Sequence, residues 1–299
     1  MSSHNHRVVY QRGFTLVELI VVIVITAILA VSMVVFIRPT MQSYVDTRIR
    51  ANISSTADGA LRRMLSDVRI AVPNSLRIPN DQCFEVIPTS AGGRYRMGPD
   101  VANDSGANCT PGANCAAYVD TSLETTVFDS LTTLDPTPAV GDWIVINNQN
   151  VNDVYSGLNR SAVTLVETPT ITQGKHRITI NAMQVSNGYS GGRFVVVPNS
   201  QRAVFYVCSG ADGGVNSQGN GKGTLYRLSN YGFNAAYPGT CPDASAGAVV
   251  ATKVRSCSFV YDPNQGATQQ SGFMWLDLTI TENNETSHMA VGAHVINVP

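Results

Sequence analysis

The segment FTLVELIVVIVITAILAVSMVVFI, residues 14–37, decides how this chain is built. Its 24 residues are apolar almost throughout. As a helix the segment would be about 36 Å long, which is enough to cross a hydrocarbon layer of about 30 Å. Glu18 is its only charged residue. An acidic group at the centre of a membrane helix costs about 2.5–3.5 kcal/mol, and an ionisable residue in such a helix is a functional candidate.

A short polar leader, residues 1–13, precedes the apolar segment and ends in Gly13. A general secretory signal has its small-residue cleavage site after the apolar region, whereas here the small residue stands before it. The contiguous run GFTLVEL, residues 13–19, resembles the signature of type IV prepilins. This resemblance implies that a prepilin peptidase cuts between Gly13 and Phe14 and methylates the new amine of Phe14. The apolar helix then stays on the mature protein.

A mature chain that begins at Phe14 gives Glu18 a partner. The new amine is positively charged, and methylation preserves that charge. We predict that Glu18 of one subunit pairs with the amine of a neighbouring subunit, which neutralises both charges and sets the register between subunits. Two alternatives are an ordinary single-pass anchor and a conventional signal peptide cleaved near residues 30–32. The apolar segment is longer than the 7–15 residues typical of a conventional signal.

The helix is predicted to continue beyond the membrane over residues 38–72. Pro39 removes one backbone hydrogen bond and is predicted to kink or loosen the helix, and Pro73 ends the pattern. Apolar residues recur at steps of three or four, which is the spacing of one helical face. This face comprises Ile49, Ile53, Ala57, Ala60, Met64, Val68 and Ala71. It can pack on a globular head.

The head, residues 73–299, reads mainly as strands. Several segments are strand-like, and residues 273–281 show clear period-two alternation. The segments are residues 142–146, 177–185, 193–197, 202–208, 273–281 and 287–298. Because no helical segments alternate with them, an antiparallel sheet is favoured, so the fold class is α+β with one core or two lobes. Two Gly- and Asn-rich stretches, residues 89–122 and 209–223, read as long surface loops.

Six cysteines indicate an oxidising compartment. All lie beyond the apolar segment, and none forms a Cys-x-x-Cys pair or a zinc pattern. They are Cys83, Cys109, Cys115, Cys208, Cys241 and Cys257. An even set of this kind predicts disulfides formed in the periplasm or outside the cell, and free thiols in a reducing compartment are the alternative. Six cysteines allow 15 pairings. Cys109–Cys115 is the pair predicted first, because both lie in one loop.

The sequence contains no pattern typical of an enzyme. Residues 221–224 resemble part of a phosphate-binding loop, but Asn216 stands where the first glycine belongs. Three histidines lie in predicted strands without a catalytic spacing: His176, His288 and His294. We therefore predict no catalytic residue, no cofactor and no metal site, although a structural calcium ion is left open. A net charge of −1 with 14% charged residues shows no nucleic-acid footprint.

Two further segments make the resemblance narrower. Residues 57–78, ADGALRRMLSDVRIAVPNSLRI, resemble the helix end and following turn of J-type minor pseudopilins and of MshO-type minor pilins of the mannose-sensitive haemagglutinin (MSHA) pilus. The terminal HVINVP, residues 294–299, is similar to the end of the MshO type. The resemblance implies a minor pilin with a pilin-like fold that helps to initiate pilus assembly at or near the tip.

The resemblance also implies partners and a location. The partners are prepilin peptidase, other minor and major pilins, and the inner membrane, which the chain crosses once with its head in the periplasm before assembly into a surface pilus. Two alternatives stay open. One is a J-like pseudopilin of a type II secretion system, and the other is an anchored adhesive module whose loops bind a surface ligand of unknown identity.

Overall fold

A computed structural model describes residues 13–104, 110–170, 172–187, 191–263 and 271–296. The chain divides between Ala51 and Asn52 into two compact units. The elements of the described residues are α1 (Leu16–Arg69), β1 (Arg77–Asn80), β2 (Cys83–Val86), β3 (Ala91–Arg94), β4 (Glu124–Ser130), β5 (Trp143–Ile146), α2 (Asp153–Ser156), β6 (Arg160–Glu167), β7 (His176–Gln184), β8 (Arg193–Val197), β9 (Val204–Ser209), β10 (Gly223–Leu228), β11 (Ala248–Asp262), β12 (Ser271–Glu282) and β13 (Glu285–Ile296).

Helix α1 has 54 residues and is continuous through Pro39. It ends at Arg69 rather than at residue 72, where the sequence pattern placed its end. The reason lies in the backbone that follows, because Ala71 forms a β-bridge with Pro88 and the Val72 amide donates to the Ile87 carbonyl at 2.8 Å. These bonds compete with another helical turn, so the chain leaves the helix before the proline.

The C-terminal part of α1 packs on the head through one face. Its buried residues are Ile53, Ala57, Ala60, Leu61, Met64 and Val68. Five of them belong to the predicted apolar face, which Leu61 widens. Ser54 Oγ lies 3.0 Å from Ser287 Oγ on β13, and Asp67 accepts hydrogen bonds from Tyr206 on β9 and Arg227 on β10. The helix therefore crosses one sheet from β13 to β9.

The strands form two antiparallel sheets. Sheet 1 has the order β1-β2-β9-β10-β11-β12-β13, and sheet 2 has the order β3-β8-β5-β6-β7-β4. All neighbouring strands pair antiparallel. A long N-terminal helix packed on antiparallel sheets is the predicted α+β, pilin-like architecture, and that prediction is confirmed. Strands form at all six predicted segments, with ends that differ by at most two residues.

Sheet 2 has a core of its own and shares a second one with its surroundings. Its own core is centred on Phe128 and Phe194, whose ring centroids lie 5.2 Å apart in an edge-to-face arrangement. The shared cluster joins Val145 and Val197 of sheet 2 to residues beside sheet 1, among them Ile87. The sequence predicted either one core or two lobes in the head. The head has two sheets that each cover apolar side chains, and a common cluster joins them.

One predicted loop is wrong in part. Residues 89–122 contain strand β3, and they also contain a buried stretch, residues 115–117, together with buried Val119. The second loop, residues 209–223, overlaps strands at both ends, since Ser209 ends β9 and Gly223 begins β10. The first stretch was misread because its small residues carry no apolar periodicity, although they are pinned to sheet 2 by distant side chains.

The described cysteines are all in disulfides. Cys83 is bonded to Cys241, with Cα atoms 5.7 Å apart, and Cys208 is bonded to Cys257, with Cα atoms 6.4 Å apart. Cys115 is also disulfide-bonded. Cys109, its predicted partner, lies outside the described residues, so the Cys109–Cys115 pairing stays a prediction.

Candidate membrane and assembly segment

The start of α1 is organised by Thr15. The backbone N–H of Glu18 donates to Thr15 Oγ1 at 3.2 Å, and the N–H of Leu19 donates to the Thr15 carbonyl at 3.2 Å. Thr15 is therefore the N-cap, and Glu18 stands at the third helical position, which is the spacing of a capping box. This role of Thr15 was not predicted, although the sequence contains the Thr-x-x-Glu pattern of a capping box.

No described part of the chain covers the apolar half of the helix. None of residues 14–37 is buried in the structure, and the Phe14 side chain is 79% exposed. Among the described residues, α1 is the one helix long and apolar enough to span a membrane by its length and composition. A continuous apolar surface of this extent is unstable in water, so it needs lipid or other helices around it.

Gly13 and Phe14 lie just before the helix and are exposed. A Cβ atom added at Gly13 would meet no atom within 4 Å. The described fold therefore places no steric demand for a glycine at this position. The cleavage predicted between Gly13 and Phe14 stays a prediction.

The Glu18 side chain is exposed and forms no ion pair with any residue in the described part of the chain. Being exposed at the first helical turn, its carboxylate is accessible to a group on another molecule. A negative charge here also interacts favourably with the N-terminal end of the helix dipole. The single chain thus explains why an acid is tolerated at the helix start, while its predicted contact with a neighbour stays a prediction.

Hydroxyl side chains in and next to the apolar half donate hydrogen bonds to backbone carbonyls of the same helix. Thr26 and Ser32 donate to carbonyls one turn earlier, each at 2.8 Å, and Thr40 donates to the Phe36 carbonyl at 3.0 Å. Such bonds remove the cost of placing a hydroxyl in lipid. Pro39, next to Thr40, cannot donate a backbone hydrogen bond, and the predicted kink at this residue stays a prediction.

Asp67 fixes the helix to sheet 1. Its Oδ2 accepts from Arg227 Nε at 2.8 Å and from the Tyr206 hydroxyl at 2.7 Å. Arg227 Nη2 also donates to Gln201 Oε1 at 2.7 Å. Burial, and then the charge of Asp67, raise the pKa of the Tyr206 hydroxyl above its usual range, so it remains a donor. Because this cluster is nearly buried, it joins residues 52–69 of the helix rigidly to the head.

Two further buried ion pairs lie in the described part of the head. Arg77 and Glu85 have no exposed side-chain surface and lie 3.4 Å apart, with Glu85 Oε1 also accepting from the Tyr231 hydroxyl at 2.6 Å. Burial raises the pKa of the Glu85 carboxyl, against the opposing effects of Tyr231 and Arg77. In sheet 2, Arg177 donates to both oxygens of Asp129, at 2.8 and 3.0 Å.

The three histidines named in the sequence analysis each contact a neighbouring residue of the head. His176 Nε2 accepts from the Leu134 amide at 3.1 Å, and the His294 ring packs edge-on against Phe273. His288 Nε2 lies 2.8 Å from Asp277 Oδ2 on an exposed face. No group of three or more His, Cys, Asp or Glu side chains that could hold a metal occurs within the described residues.

Residues 9–34 match the prokaryotic N-terminal methylation motif. No match was found among curated proteins or among solved structures. The motif and the exposed apolar helix together support a type IV pilin-like protein that is anchored in a membrane and later enters a pilus. The motif implies processing by prepilin peptidase and assembly with other pilins, and it indicates a structural protein rather than an enzyme. It covers the N-terminal segment and leaves the head unassigned.

Proposed function

We propose that this chain is a minor pilin of an MSHA-like type IV pilus that helps to initiate assembly and lies at or near the tip. The observation that carries the proposal is the prepilin motif on an exposed, capped apolar helix. The resemblance of residues 57–78 to minor pilins and J-type pseudopilins narrows the proposal from pilin-like proteins in general to a minor subunit. In the structure this stretch includes five of the six buried residues of α1 and the turn into β1.

The proposed mechanism begins with cleavage between Gly13 and Phe14, both of which are exposed. Cleavage leaves a charged amine on Phe14, two residues before the helix begins. The Glu18 carboxylate of this subunit then pairs with the amine of a neighbour as their helices pack. Loss of one member of such a buried pair leaves the other uncompensated, which costs about 3–5 kcal/mol.

In the second step of the proposed mechanism, the contacts of Asp67 transmit movement of the helix to the head. When an apolar helix moves from lipid into a growing filament, the head must move with it. Asp67 holds the helix to β9 and β10 through two hydrogen bonds in a nearly buried setting. Movement of the helix is therefore transmitted to the head without a flexible joint between residue 67 and sheet 1.

Processing is tested by mass spectrometry of the full chain extracted from the membrane. The expected mature protein starts at methylated Phe14 and has lost residues 1–13. A chain that retains Met1 or starts beyond the apolar segment would rule out the prepilin interpretation. As a control, Gly13→Leu places a bulky residue at the cleavage position and should leave the leader attached, because the fold itself does not need the glycine.

Assembly is tested by the share of tagged protein that enters sheared pili. Glu18→Val should insert into the membrane normally but enter pili at a level reduced at least tenfold, which is what about 1.4 kcal/mol or more would produce. Asp46→Asn, which removes an acid from the same helix beyond the apolar segment, is the matched control and should assemble normally. Wild-type incorporation of Glu18→Val would contradict the ion pair.

The position and the machine need separate measurements. Immunogold labelling of a head epitope should mark an end of the pilus rather than its whole length if the chain is a tip-proximal minor pilin. A J-like pseudopilin of a type II secretion system is the second candidate, favoured by the same resemblance of residues 57–78. That candidate predicts loss of protein secretion, with normal pili, in a deletion strain.

A further inference from the structure

A cavity of about 420 Å³ lies on the face of sheet 1 that points away from α1. Tyr206 on β9 bonds to Asp67 of the helix, and successive strand residues point to opposite faces, so the neighbouring Phe205 points away from the helix. Phe205 and Leu228, which pair across β9 and β10, are the two strand residues that line the cavity. The other lining residues belong to the connection between β10 and β11, residues 229–247. The volume falls within the range of about 300–1,000 Å³ typical of small-molecule sites.

The connection that covers this face of the sheet is anchored at two places and is therefore pre-formed. Arg77 Nη1 donates to the Asn234 carbonyl at 2.7 Å and to the Ala236 carbonyl at 3.1 Å, and the Arg77 side chain has no exposed surface. Further along the connection, Cys241 is bonded to Cys83 on β2. A site whose walls are already ordered loses little conformational entropy when a ligand binds.

Most of the surface that lines the cavity is apolar. Pro238 and Pro242 contribute their rings from the connection, and the Tyr231 side chain is 42% exposed. The Tyr231 hydroxyl donates to the buried Glu85 at 2.6 Å. Burial, and then the charge of Glu85, raise the pKa of this hydroxyl above its usual range, so it remains a donor to Glu85. Tyr231 therefore offers a ligand its ring rather than its hydroxyl.

Two uncommitted polar groups lie beside this apolar surface. The side-chain amide of Asn234 and the hydroxyl of Thr240 have no hydrogen-bond partner among the described residues. Each of these groups can both donate and accept hydrogen bonds. None of the residues that line the cavity is charged. A mainly apolar pocket with a small number of polar groups is the usual composition of a small-molecule site.

The charge, size and ring surface of the cavity select the ligand class. A charged ligand would lose water here without meeting an opposite charge, which is unfavourable. An apolar cavity of about 150 Å³ holds one benzene ring, so this larger cavity has room for two fused rings. An aromatic ligand also gains from contact with the rings of Phe205 and Tyr231 beyond the area that it buries. We propose that the cavity binds an uncharged two-ring aromatic compound with one hydroxyl or amide group, a function that goes beyond pilus assembly and does not depend on it.

The proposal is tested by equilibrium dialysis of the full chain, with the same detergent on both sides of the dialysis membrane so that partitioning into micelles cancels. The probe is 2-naphthol, which has two fused rings and a hydroxyl that is uncharged at neutral pH. It should accumulate with the protein and saturate at one molecule per chain. Its saturated counterpart, decahydro-2-naphthol, should bind about twofold to tenfold more weakly, the range expected for aromatic contacts. The anion 2-naphthoate should also bind more weakly than 2-naphthol, because no cation lines the cavity.

Three variants of lining residues test where the probe binds. Leu228→Trp fills the cavity and should lower the affinity for 2-naphthol at least tenfold. At least one of Asn234→Ala and Thr240→Val should weaken binding about threefold to tenfold, the range expected for one hydrogen bond. The matched control is Thr224→Val, which makes the same replacement on the same face of β10 at a residue that does not line the cavity, and it should bind like the wild type.

Equal melting temperatures should show that the variants are folded, and the two polar variants decide the test if Leu228→Trp is unstable. Four results would each overturn the proposal: no saturable binding of 2-naphthol, equal binding of decahydro-2-naphthol, equal or tighter binding of 2-naphthoate, or wild-type binding by every folded cavity variant. Glu18→Val should bind 2-naphthol normally, so failure of the assembly proposal and failure of this one are distinguishable.

Discussion

Glu18 combines a negative charge with a long polar side chain at the third helical position, and substitution to valine removes both. Its backbone N–H donates to Thr15 Oγ1, a bond that valine and glutamine both keep, and its carboxylate is the proposed contact with a neighbouring subunit. A capping box accepts glutamine as well as glutamate at the third helical position. Replacement by glutamine therefore keeps the helix start while it removes the charge.

Glu18→Gln should leave the helix content of the membrane-inserted protein unchanged and should lower pilus incorporation nearly as far as Glu18→Val. The reason is that an amide cannot neutralise the amine of a neighbour. Circular dichroism of the purified chain and quantification in sheared pili measure the two effects. Wild-type incorporation of the glutamine variant would show that assembly does not need the charge of Glu18.

Glu85 predicts an unusual dependence of stability on pH. Because burial raises its pKa, the folded chain holds the Glu85 proton at pH values where the unfolded chain, with a pKa near 4.5, has lost it. The folded state then binds more protons, so the free energy of unfolding falls as pH rises from the unfolded pKa through the folded one. Most buried carboxylates with strong partners show the opposite slope.

The measurement compares urea unfolding of the wild type and of Glu85→Gln from about pH 4 to about pH 7. The glutamine does not titrate, so the wild type should lose stability relative to the variant as pH rises. The effects of the carboxyl-to-amide replacement that do not involve ionisation add an offset that does not vary over this range. A difference that stays constant, or that changes in the opposite direction, would contradict a raised pKa of Glu85.

At the scale of elements, the sequence predicted those helices and strands whose buried face shows as a local periodicity of apolar residues. The apolar face of residues 52–69 and the alternation in 273–281 both report burial of one side, and both were readable. Strand β3 was not, because Ala91, Gly92 and Gly93 carry no side-chain pattern. The buried stretch 115–117 was missed for another reason: it is held by Asp129 and Arg177, which are remote in sequence.

The Asp129–Arg177 pair should therefore stabilise a segment that has little core of its own. Asp129→Ala leaves Arg177, whose side chain is 7% exposed, without its charge partner. Removing one member of a buried pair costs about 3–5 kcal/mol. Urea unfolding of the full chain in detergent should show this loss, and limited proteolysis should cut earlier within residues 110–119 than in the wild type.

A surface pair serves as the control. Arg62 and Asp58 lie 2.7 Å apart on α1, with side chains 77% and 43% exposed. Because water already solvates both groups, Arg62→Ala should leave stability and proteolysis unchanged within error. Equal effects of the two substitutions would mean that the buried geometry of Asp129 contributes nothing special.

At the scale of the whole molecule, sequence predicted the order of helix and head but not how the strands pair. Cys83 and Cys241 are 158 residues apart, and Cys208 and Cys257 are 49 apart, yet each pair meets in sheet 1 or beside it. Six cysteines allow 15 pairings, and the sequence pattern favours neither of these two pairs.

The number of pili per cell distinguishes a subunit that starts filaments from one that extends them. If this chain initiates assembly, its deletion should leave fewer pili, each of normal length, because elongation uses other subunits. Counting and measuring pili by electron microscopy tests this, with complementation by the wild type and by Asp46→Asn as controls. Complementation by Glu18→Val should fail. Normal pilus number with shorter filaments would instead assign the chain to elongation, because a limiting shaft subunit controls length rather than the frequency of starts.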